Sequence, residues 1–510
     1  MRCIHSYLKS KSNIGASNRT WFQSLYLRLI SMMKTLLLTV VLGVVVVSAK
    51  SAHAEDAIRE DVIHLEAENG QLSGTTVATT RAGFSGAGYV SGFLADADTV
   101  SWVIPRAKAG IYQVALRYSA DNPKGFGVVV NGARAEGMFA ATGGQFATQT
   151  AGKVELKDGE NTVSIAKGWG HYDIDFIELS SASNLAVLPK PPATLVDAKA
   201  TAPARALMEL LVRNYGEKTL SGQYDPGDTA YVREVTGQTP AILGADFMDY
   251  SPSRVAHGSK NKPPTEEIIA LAKAGQIVTL SWHWNAPSHL IDAPYIDKNG
   301  QISTAFWWRG FYTDATTFDL EKTLNNPNSA DYKLLLRDID ALAVQLKKLD
   351  AAGVPVLWRP LHEADGTWFW WGAKGEEPFK KLWRLMFERL TQTHDLHNLI
   401  WVYTGSPEKP EWYPGDDVVD IYGVDSYPAD RNDTLSSSWE ALRAQFDGKK
   451  LLTLSEFKGV PDAVKMKRFG VNWSYFVAWT GDSGPRTQPA ADVKRTYNAP
   501  NVVNAKDLPR

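Results

Sequence analysis

The residues best suited to chemistry stand together in one stretch, residues 358–372, which reads WRPLHEADGTWFWWG. An apolar segment that we interpret as a strand leads into it, and the polar side chains of Arg359, His362 and Glu363 follow. Within eight positions of Glu363 come four aromatic residues, Trp368, Phe369, Trp370 and Trp371. A carboxylic acid can protonate a glycosidic oxygen, and aromatic rings stack on the apolar faces of sugars. The stretch therefore indicates carbohydrate chemistry, because the alternative, a core strand with a satisfied ion pair, would bury these polar groups without a task.

Strands and helices alternate in the part of the chain after about residue 200. Helical patterns, such as residues 334–351 and 377–393, separate the apolar segments. Eight such units in about 300 residues predict an α/β fold, a (β/α)8 or TIM barrel. A doubly wound open sheet is the alternative, but no glycine-rich phosphate loop follows the first strand. The predicted barrel strands are residues 220–224, 241–247, 277–284, 354–363, 399–403, 419–425, 451–457 and 475–479.

Polar residues at the ends of these strands are the candidate site residues, because barrel active sites collect at the C-terminal ends of the strands. Glu363 ends the fourth predicted strand and Glu456 lies at the end of the seventh. These strands lie on opposite sides of an eight-stranded barrel, so the two carboxyl groups face each other across its mouth. Retaining glycosidases hold such a pair about 5–5.5 Å apart and inverting ones about 6.5–9.5 Å apart. Three further candidates follow the third, sixth and eighth strands: His283, Tyr427 and Trp479.

The strings Arg-Pro-Leu-His-Glu and Trp-Phe-Trp-Trp-Gly around Glu363 resemble glycoside hydrolase family 26, the β-mannanase family of the large (β/α)8 glycosidase clan. The resemblance extends from about Arg205 to Pro509. One departure is Ala364-Asp365, where many members have Met-Asn. The departure leaves the acid in place and affects only its neighbours.

The resemblance implies a retaining mechanism and a role for each candidate. Glu363 is the general acid/base, with a pKa raised by desolvation among the tryptophan rings. Glu456 is the nucleophile, held ionised by donors such as Arg359 and His362, and Tyr427 positions it. His362 hydrogen-bonds either the nucleophile or a sugar hydroxyl. The implied floor and walls of the subsites are His283, Trp368 and Trp479.

For activity, the resemblance implies a secreted endo-β-1,4-mannanase that hydrolyses internal bonds of mannan, galactomannan or glucomannan. Two alternatives stay open. One keeps the family and changes the polymer, to mixed-linkage β-glucan or β-1,3-xylan. The other is a non-catalytic polysaccharide-binding protein, which the presence of both glutamates, Glu363 and Glu456, disfavours. We expect no cofactor in catalysis, because the required carboxylates are present without a His/Asp ligand cluster.

Residues 61–180 show an all-β pattern of short alternating strands separated by Gly, Asn and Asp turns, which predicts a jelly-roll-like β-sandwich. We therefore divide the chain into a signal region (1–54), a binding module (55–181), a Pro-containing semi-rigid linker (182–200) and a catalytic domain (201–510).

Four strings in this module together resemble a family 35 carbohydrate-binding module: LEAE (65–68), GAGYV (86–90), GENTV (159–163) and DIDFI (173–177). The resemblance implies a structural Ca²⁺, for which Glu66, Glu68 and Asp175 would supply oxygen ligands. Glu66 and Glu68 are predicted on one face of one strand, and a solvated acidic strand face is the alternative. Trp169 stands between two glycines in a loop and is predicted to be an exposed sugar platform. Tyr89 and Asn161 are further candidate ligands of the module.

The start of the chain has the pattern of a secretion signal. The apolar run 36–47 follows Met33-Lys34 and precedes a cleavage-site pattern at Ala52-His53-Ala54. Its 12 residues are too few to span a bilayer comfortably. The only cysteine is Cys3, so the mature protein would hold no disulfide. We expect a secreted, extracellular or periplasmic monomer with no membrane segment after cleavage.

The charge balance narrows the possible partners. The net charge of −2 and the pI near 6.6 give no sign of nucleic-acid binding. Tryptophan is abundant, and 14 of the 17 tryptophans lie between Trp282 and Trp479. This concentration indicates an aromatic cleft in the C-terminal part. The resemblance to glycoside hydrolase family 26 implies a β-mannan-type polysaccharide as the partner.

Overall fold

A computed structural model describes residues 62–182, 187–296, 300–304 and 306–509. The chain divides after Ile63 into two units, and the second, from His64 to Arg510, contains everything described below apart from the first two residues of strand β1. The predicted signal region, residues 1–54, lies outside the described residues. Among the residues that are described, no helix is long and apolar enough to cross a membrane.

The N-terminal module is built from antiparallel strands in two sheets, as the sequence predicted. One sheet has the order β3-β4-β11-β6-β9 and the other β2-β5-β10-β7-β8. Alternation buries every second residue, as at Val114, Leu116 and Tyr118 in one sheet and Val163 and Ile165 in the other. The strands are β1 (Val62–Glu66), β2 (Gln71–Ser73), β3 (Thr76–Ala78), β4 (Tyr89–Ser91), β5 (Thr99–Ala107), β6 (Gly110–Ser119), β7 (Lys124–Val130), β8 (Ala133–Phe139), β9 (Ala147–Leu156), β10 (Gly159–Lys167) and β11 (Asp173–Ser181).

The C-terminal domain is a closed barrel of eight parallel strands, which confirms the predicted (β/α)8 architecture. The barrel strands are β13 (Gly222–Tyr224), β14 (Ile242–Asp246), β15 (Ile277–Ser281), β18 (Val356–Arg359), β19 (Leu399–Thr404), β20 (Ile421–Ser426), β21 (Leu451–Phe457) and β22 (Phe476–Ala478). Short pairs accompany them: β12 (Thr219–Leu220) with β23 (Val502–Val503), and β16 (Tyr295–Ile296) with β17 (Ile302–Ser303).

The helices of this domain pack on the outside of the barrel through apolar stripes. In the longest, Leu335, Ile339, Leu342, Leu346 and Leu349 recur at helical spacing and are fully buried. The helices are α1 (Ala202–Asn214), α2 (Pro226–Thr236), α3 (Pro252–Val255), α4 (Thr265–Lys273), α5 (Leu320–Leu324), α6 (Ala330–Ala351), α7 (Glu376–Glu388), α8 (Ser436–Phe446), α9 (Ala463–Phe469) and α10 (Ala490–Tyr497).

Two boundaries differ from the sequence-based expectation in ways that matter for the site. Strand β18 ends at Arg359, so Glu363 lies in the following turn rather than at the end of the strand. The expected linker is packed against the barrel in its second half, where Leu195 is buried and the backbone N–H of Val196 donates to Asp420 Oδ1 at 2.7 Å. The linker pattern missed this because its proline-rich first half dominates the composition.

Candidate active site

Arg359 organises the floor of the barrel mouth. It is fully buried, and its Nη2 donates to Glu456 Oε2 and its Nη1 to Asp425 Oδ2, each at 2.5 Å. Its Nε and Nη2 also donate to the hydroxyl of Tyr224, at 3.1 and 2.9 Å. Burial alone would lower the pKa of Arg359, but the charges of Asp425 and Glu456 outweigh it and raise the pKa well above the usual value. A permanent positive charge therefore sits directly beneath Glu456.

Glu456 is held at both carboxylate oxygens. Arg359 binds Oε2 from below, and the hydroxyl of Tyr427 donates to Oε1. Glu456 is almost completely buried, whereas Tyr427 is exposed toward the cleft. Two donors therefore hold this buried carboxyl group in one orientation, as a positioned nucleophile requires. Because Arg359 occupies the inner side, Oε1 is the oxygen that faces the cleft.

Glu363 has the opposite electrostatic environment. Burial raises the pKa of Glu363 well above its usual range, and the negative charges of Glu456 and Asp425 raise it further. One hydrogen bond reaches it from the aromatic residues, since Trp368 Nε1 donates to Oε2 at 3.0 Å. The two carboxyl groups thus differ as an acid and a nucleophile must differ, one protonated and one held by a cation.

The turn that presents Glu363 has an uncommon backbone conformation. Leu361, Glu363 and Thr367 have φ values of 51°, 52° and 63°, in the left-handed region that side chains other than glycine seldom adopt. Such residues cost about 1–3 kcal/mol each and persist where the surroundings enforce them. Here the buried ring of Trp371 donates to the carbonyl of His362 at 2.9 Å and holds the turn.

A chain of three side chains leads from β14 to this turn. Asp246 accepts a hydrogen bond from His283 Nδ1, and His283 Nε2 lies 3.2 Å from His362 Nε2. Burial would raise the pKa of Asp246, but His283 outweighs it and lowers the pKa to about 2. Burial, with the charges of Arg359 and His283, lowers the pKa of His362 well below its usual value. His362 is therefore neutral.

The short contact between His283 Nε2 and His362 Nε2 is a hydrogen bond in which one ring carries the proton and the other accepts it. His362 Nδ1 is buried, and no partner for it exists among the described residues. Glu456 is bonded by Arg359 and Tyr427 and not by His362, which differs from one of the two expectations for His362.

The aromatic residues near Glu363 divide into one exposed ring and three buried ones. Trp368 is 46% exposed and lies over Gly366, where an added Cβ would come within 2.0 Å of the ring. Phe369, Trp370 and Trp371 are buried, against the expected wall of four stacking rings. Trp370 and Trp371 face inward because their indole N–H groups bond backbone carbonyls beneath the site, as Trp370 does to Trp284 at 2.6 Å. Phe369 has no such group and lines the cleft.

These groups line a cleft of about 650 Å³ that crosses the barrel mouth. Seven of the eight predicted catalytic-domain site residues line it directly, namely His283, His362, Glu363, Trp368, Tyr427, Glu456 and Trp479. The eighth, Arg359, lies beneath the floor. Trp479 packs edge-on against Tyr224, with ring centroids 4.6 Å apart, and lines the same cleft as Trp368.

The predicted ligand residues of the N-terminal module have three different environments. Trp169 is 53% exposed, as predicted, and also lines the cleft of the barrel. Tyr89 is buried, and its hydroxyl is bonded to Thr80 Oγ1 at 3.0 Å. Asn161 is buried near the start of strand β10, where its side-chain carbonyl oxygen accepts from Lys157 N at 2.9 Å. Tyr89 and Asn161 are therefore structural residues, because neither presents a free polar group to a ligand.

The predicted metal ligands do not form one three-carboxylate site. Asp175 is fully buried and bonded to Arg117 Nε at 2.7 Å, so its charge is already matched. Glu66 ends strand β1 and Glu68 lies in the 3-10 turn that follows, not on the same strand face as expected. Across the described ranges, no group of three or more His, Cys, Asp or Glu side chains is placed to hold a metal ion.

Sequence reasoning missed three residues of the site, Tyr224, Asp246 and Glu408. Tyr224 and Asp246 end β13 and β14, so the strand-end rule that found Glu456 could have found both. For Asp425, at the end of the sixth predicted strand, the sequence left a site role and a structural role equally open; in the structure it binds Arg359 and accepts from Ser455 Oγ at 2.8 Å. Glu408 lines the cleft from a loop, and no local pattern marks it.

A parallel (β/α)8 barrel whose mouth holds a protonated and a cation-bound carboxyl group defines a glycoside hydrolase. Residues 196–507 match glycosyl hydrolase family 26, and the chain belongs to that family. Residues 63–182 match the carbohydrate binding module of family 35.

Similar proteins agree with this assignment. A mannan endo-1,4-beta-mannosidase of Thermothelomyces thermophilus is 42% identical over 82% of this chain and 84% of its own length. A mannan endo-1,4-beta-mannosidase A of Piromyces sp. is 31% identical over 88% of this chain and 73% of its own. The solved GH26-CBM35 beta-(1,4)-mannanase of Podospora anserina is 41% identical, with a TM-score of 0.61 over 88% of this chain and 98% of that one.

Proposed function

We propose that this protein is an endo-β-1,4-mannanase that cleaves its substrate with retention of anomeric configuration. The observation that carries the proposal is the contrast between Glu363 and Glu456: one carboxyl group is protonated by burial and repulsion, and the other is bonded by Arg359 and Tyr427. The mannan-hydrolysing names of the relatives supply the substrate. A non-catalytic binding protein would have no need for this electrostatic contrast.

In the first half-reaction, Glu456 Oε1 attacks the anomeric carbon while Glu363 donates its proton to the glycosidic oxygen that leaves. The bond from C1 to the leaving oxygen breaks as the bond from C1 to Oε1 forms. Tyr427 must release Oε1 for this attack, whereas Arg359 keeps its bond to Oε2 throughout. In the second half-reaction Glu363, now ionised, takes a proton from water, and the water oxygen displaces Glu456.

The selectivity for mannose is proposed to come from the two histidines beside the acid. Mannose differs from glucose in an axial 2-hydroxyl next to the anomeric carbon, and contacts to this hydroxyl strengthen in the transition state. His362 lines the cleft beside Glu363, and its Nδ1 has no partner among the described residues, which supports a contact to a sugar hydroxyl. A site that must hydrogen-bond a substrate hydroxyl discriminates against a sugar that cannot make this bond. This discrimination is stronger than any that stacking provides.

The test uses the purified full chain with pure polysaccharides. Release of reducing ends should be clear on mannan and glucomannan and small on cellulose, mixed-linkage glucan and β-1,3-xylan, and product sizing should show internal cleavage. Proton NMR at early times should show the β-anomer first. Comparable rates on mixed-linkage glucan or β-1,3-xylan would contradict the substrate, and an α-anomer first would contradict the retaining mechanism.

We further propose that the protein is secreted as a monomer. The apolar run 36–47 and the small residues at Ala52 and Ala54 support export and cleavage. N-terminal sequencing of protein recovered from the periplasm or medium should begin near Glu55. Light scattering during gel filtration should give the mass of one mature chain, and a dimer mass would contradict the monomer.

For the module, we propose a structural Ca²⁺ held by Glu66 and Glu68 without Asp175. Both glutamates point at the turn formed by Ser85, Gly86 and Ala87, and Glu68 Oε2 is buried with no partner among the described residues. Hard oxygen ligands of this kind suit Ca²⁺. Chelation should lower the melting temperature of the wild type but not of the variant Glu68→Gln. An unchanged melting curve in chelator would reject the cation.

A further inference from the structure

The N-terminal module contributes to the catalytic cleft itself. Four of its residues, Glu136, Gly137, Met138 and Trp169, line the same cleft as Glu363. They lie at the end formed by the loops that follow β19 and β20, among Ser406, Glu408 and Ser438. Glu363 follows the fourth barrel strand and Glu456 lies in the seventh, so the loops after the fifth and sixth strands border one side of the two carboxyl groups and form one end of the cleft.

The module is fixed to this end of the barrel by buried polar contacts. The backbone N–H of Glu136 donates to Asp433 Oδ2 at 2.7 Å, and that of Lys153 donates to Ser436 Oγ at 2.8 Å. The Nζ of Lys153 donates to the carbonyl of Phe469 at 2.9 Å and pairs with Glu440 at 2.9 Å. Buried hydrogen bonds of this kind are costly to break, so the module is a fixed wall rather than a swinging attachment.

The backbones of the module and of the barrel domain also come close together. Strand β9 reaches helix α8 at Gly152, where an added Cβ would come within 2.7 Å of the backbone nitrogen of Ser437. Glycine is required here for two reasons: a side chain would collide with the helix, and the φ of Gly152 is +90°. Helix α8 and the loop before it, which carry Ser438 and Leu435 into the cleft, therefore rest directly on the module.

The part of the module that faces the cleft has the chemistry of a sugar subsite. The indole of Trp169 lies on the backbone of Gly125, where an added Cβ would come within 2.5 Å of the ring, and the residue is still 53% exposed. The carboxylate of Glu136, bonded to Arg134 Nε at 2.8 Å, is a fixed acceptor for sugar hydroxyls. Met138 adds a soft apolar contact.

The barrel loop opposite offers a second carboxyl group. Glu408 lines the cleft, and its Oε1 is buried with no partner among the described residues. Glu408 lines the same cleft as Glu136, Met138 and Trp169 of the module. An aromatic platform between carboxyl acceptors is suited to a hexose unit.

We propose that Trp169, Glu136 and Met138, with Glu408 opposite, form a distal subsite of the catalytic cleft. Its ligand is a hexose unit of the same β-linked polysaccharide chain that is cut between Glu363 and Glu456, so the inference rests on the proposed function. The module then contributes to each catalytic encounter by binding the substrate in register with the acid and the nucleophile. A module that bound polysaccharide independently would have its platform directed away from the cleft.

The test measures how activity depends on substrate length in the full chain. Trp169→Ala and Glu136→Gln are compared with the wild type on a series of β-1,4-linked manno-oligosaccharides of increasing length. Short substrates that cannot reach the module should be cut at the wild-type kcat/KM. On long ones, Trp169→Ala should lower kcat/KM by about fivefold, the equivalent of about 1 kcal/mol of stacking at 1.4 kcal/mol per tenfold.

Matched controls lie on the module away from the cleft. Val103→Ala removes an exposed apolar side chain from β5, and Glu160→Gln removes an exposed carboxylate from β10. Neither should change the length dependence. A second measurement uses chains that also carry Glu456→Ala, in which the affinity for a long oligosaccharide should fall with Trp169→Ala by the same factor.

The outcomes separate this inference from the proposed function. Failure of the wild type to cut any manno-oligosaccharide would contradict the proposed function and the subsite together. Normal wild-type cleavage, with Trp169→Ala as active as the wild type at every length or equally weakened at every length, would overturn the subsite alone. Loss confined to long substrates, in Trp169→Ala but not in Val103→Ala, would support it.

Discussion

Replacement of Arg359 by methionine tests whether this residue holds the site together. Methionine keeps much of the buried volume but leaves Asp425 and Glu456 without their cation. Removing one partner from a buried ion pair costs about 3–5 kcal/mol. For a domain of about 300 residues, an unfolding entropy of about 2.1 cal/mol/K per residue makes this about 5–8 °C in Tm. Loss of the charged hydrogen bond to Glu456, worth about 1.5–3 kcal/mol, should lower kcat by about 10- to 100-fold.

The matched control is Arg384→Met. Arg384 also donates two hydrogen bonds to an aspartate, Asp417, at 2.7 and 2.8 Å, but the two side chains are 43% and 66% exposed. Exposed pairs of this kind contribute about 0–1 kcal/mol. Differential scanning calorimetry and kcat on mannan are measured for both variants. Equal losses of Tm in Arg359→Met and Arg384→Met, or an Arg359→Met enzyme with wild-type kcat, would refute the reasoning.

The remaining predictions concern the acid, the histidines and the response to pH. Glu363→Ala should nearly abolish hydrolysis of mannan but slow much less on substrates with a good leaving group, with partial rescue by azide, and equal loss on both substrates would contradict the acid role. His283→Ala should lower kcat on mannan far more than Trp308→Ala, a tryptophan outside the cleft lining, and equal effects would contradict the site assignment. Because burial raises the pKa of Glu408 to about 8, the folded state keeps this proton while the unfolded chain loses it, so stability falls as pH rises from about 4 to 8. In Glu408→Gln this fall in urea-unfolding free energy should be smaller, and an unchanged pH dependence would exclude the buried carboxyl group as its source.

The barrel and its two carboxyl groups could be predicted from the sequence because the relevant rules are local. Each βα unit has its own periodicity, and residues at the end of a parallel strand face the mouth whatever the rest of the chain does. The fold and the family were confirmed, and the structure brings Glu363 and Glu456 into one cleft. The strings Arg-Pro-Leu-His-Glu and Trp-Phe-Trp-Trp-Gly around Glu363 predicted the same fold and the same acid through their resemblance to the family.

Exposure could not be predicted in the same way. Trp368 and Trp371 are three positions apart in one aromatic run, yet one is half exposed and the other fully buried, because Gly366 gives the first ring a surface and the carbonyl of His362 takes the N–H of the second. Tyr89 in the module is buried for a similar reason, since its hydroxyl finds partners at Thr80 and Arg81. Such partners are set by tertiary packing and leave no periodic signal.

The charge of the cleft explains why an acid can work there at all. Arg359 is shared between two carboxyl groups, so it cannot neutralise both, and burial together with Glu456 raises the pKa of Asp425. The excess negative charge of this cluster acts on Glu363, which burial has already made hard to ionise. In the retaining mechanism that we propose, Glu456 becomes a neutral ester in the glycosyl-enzyme, so its repulsion disappears and Glu363 becomes a stronger acid. On this mechanism the same carboxyl group is protonated when it must donate a proton and ionised when it must take one from water, and Arg359 sets the balance.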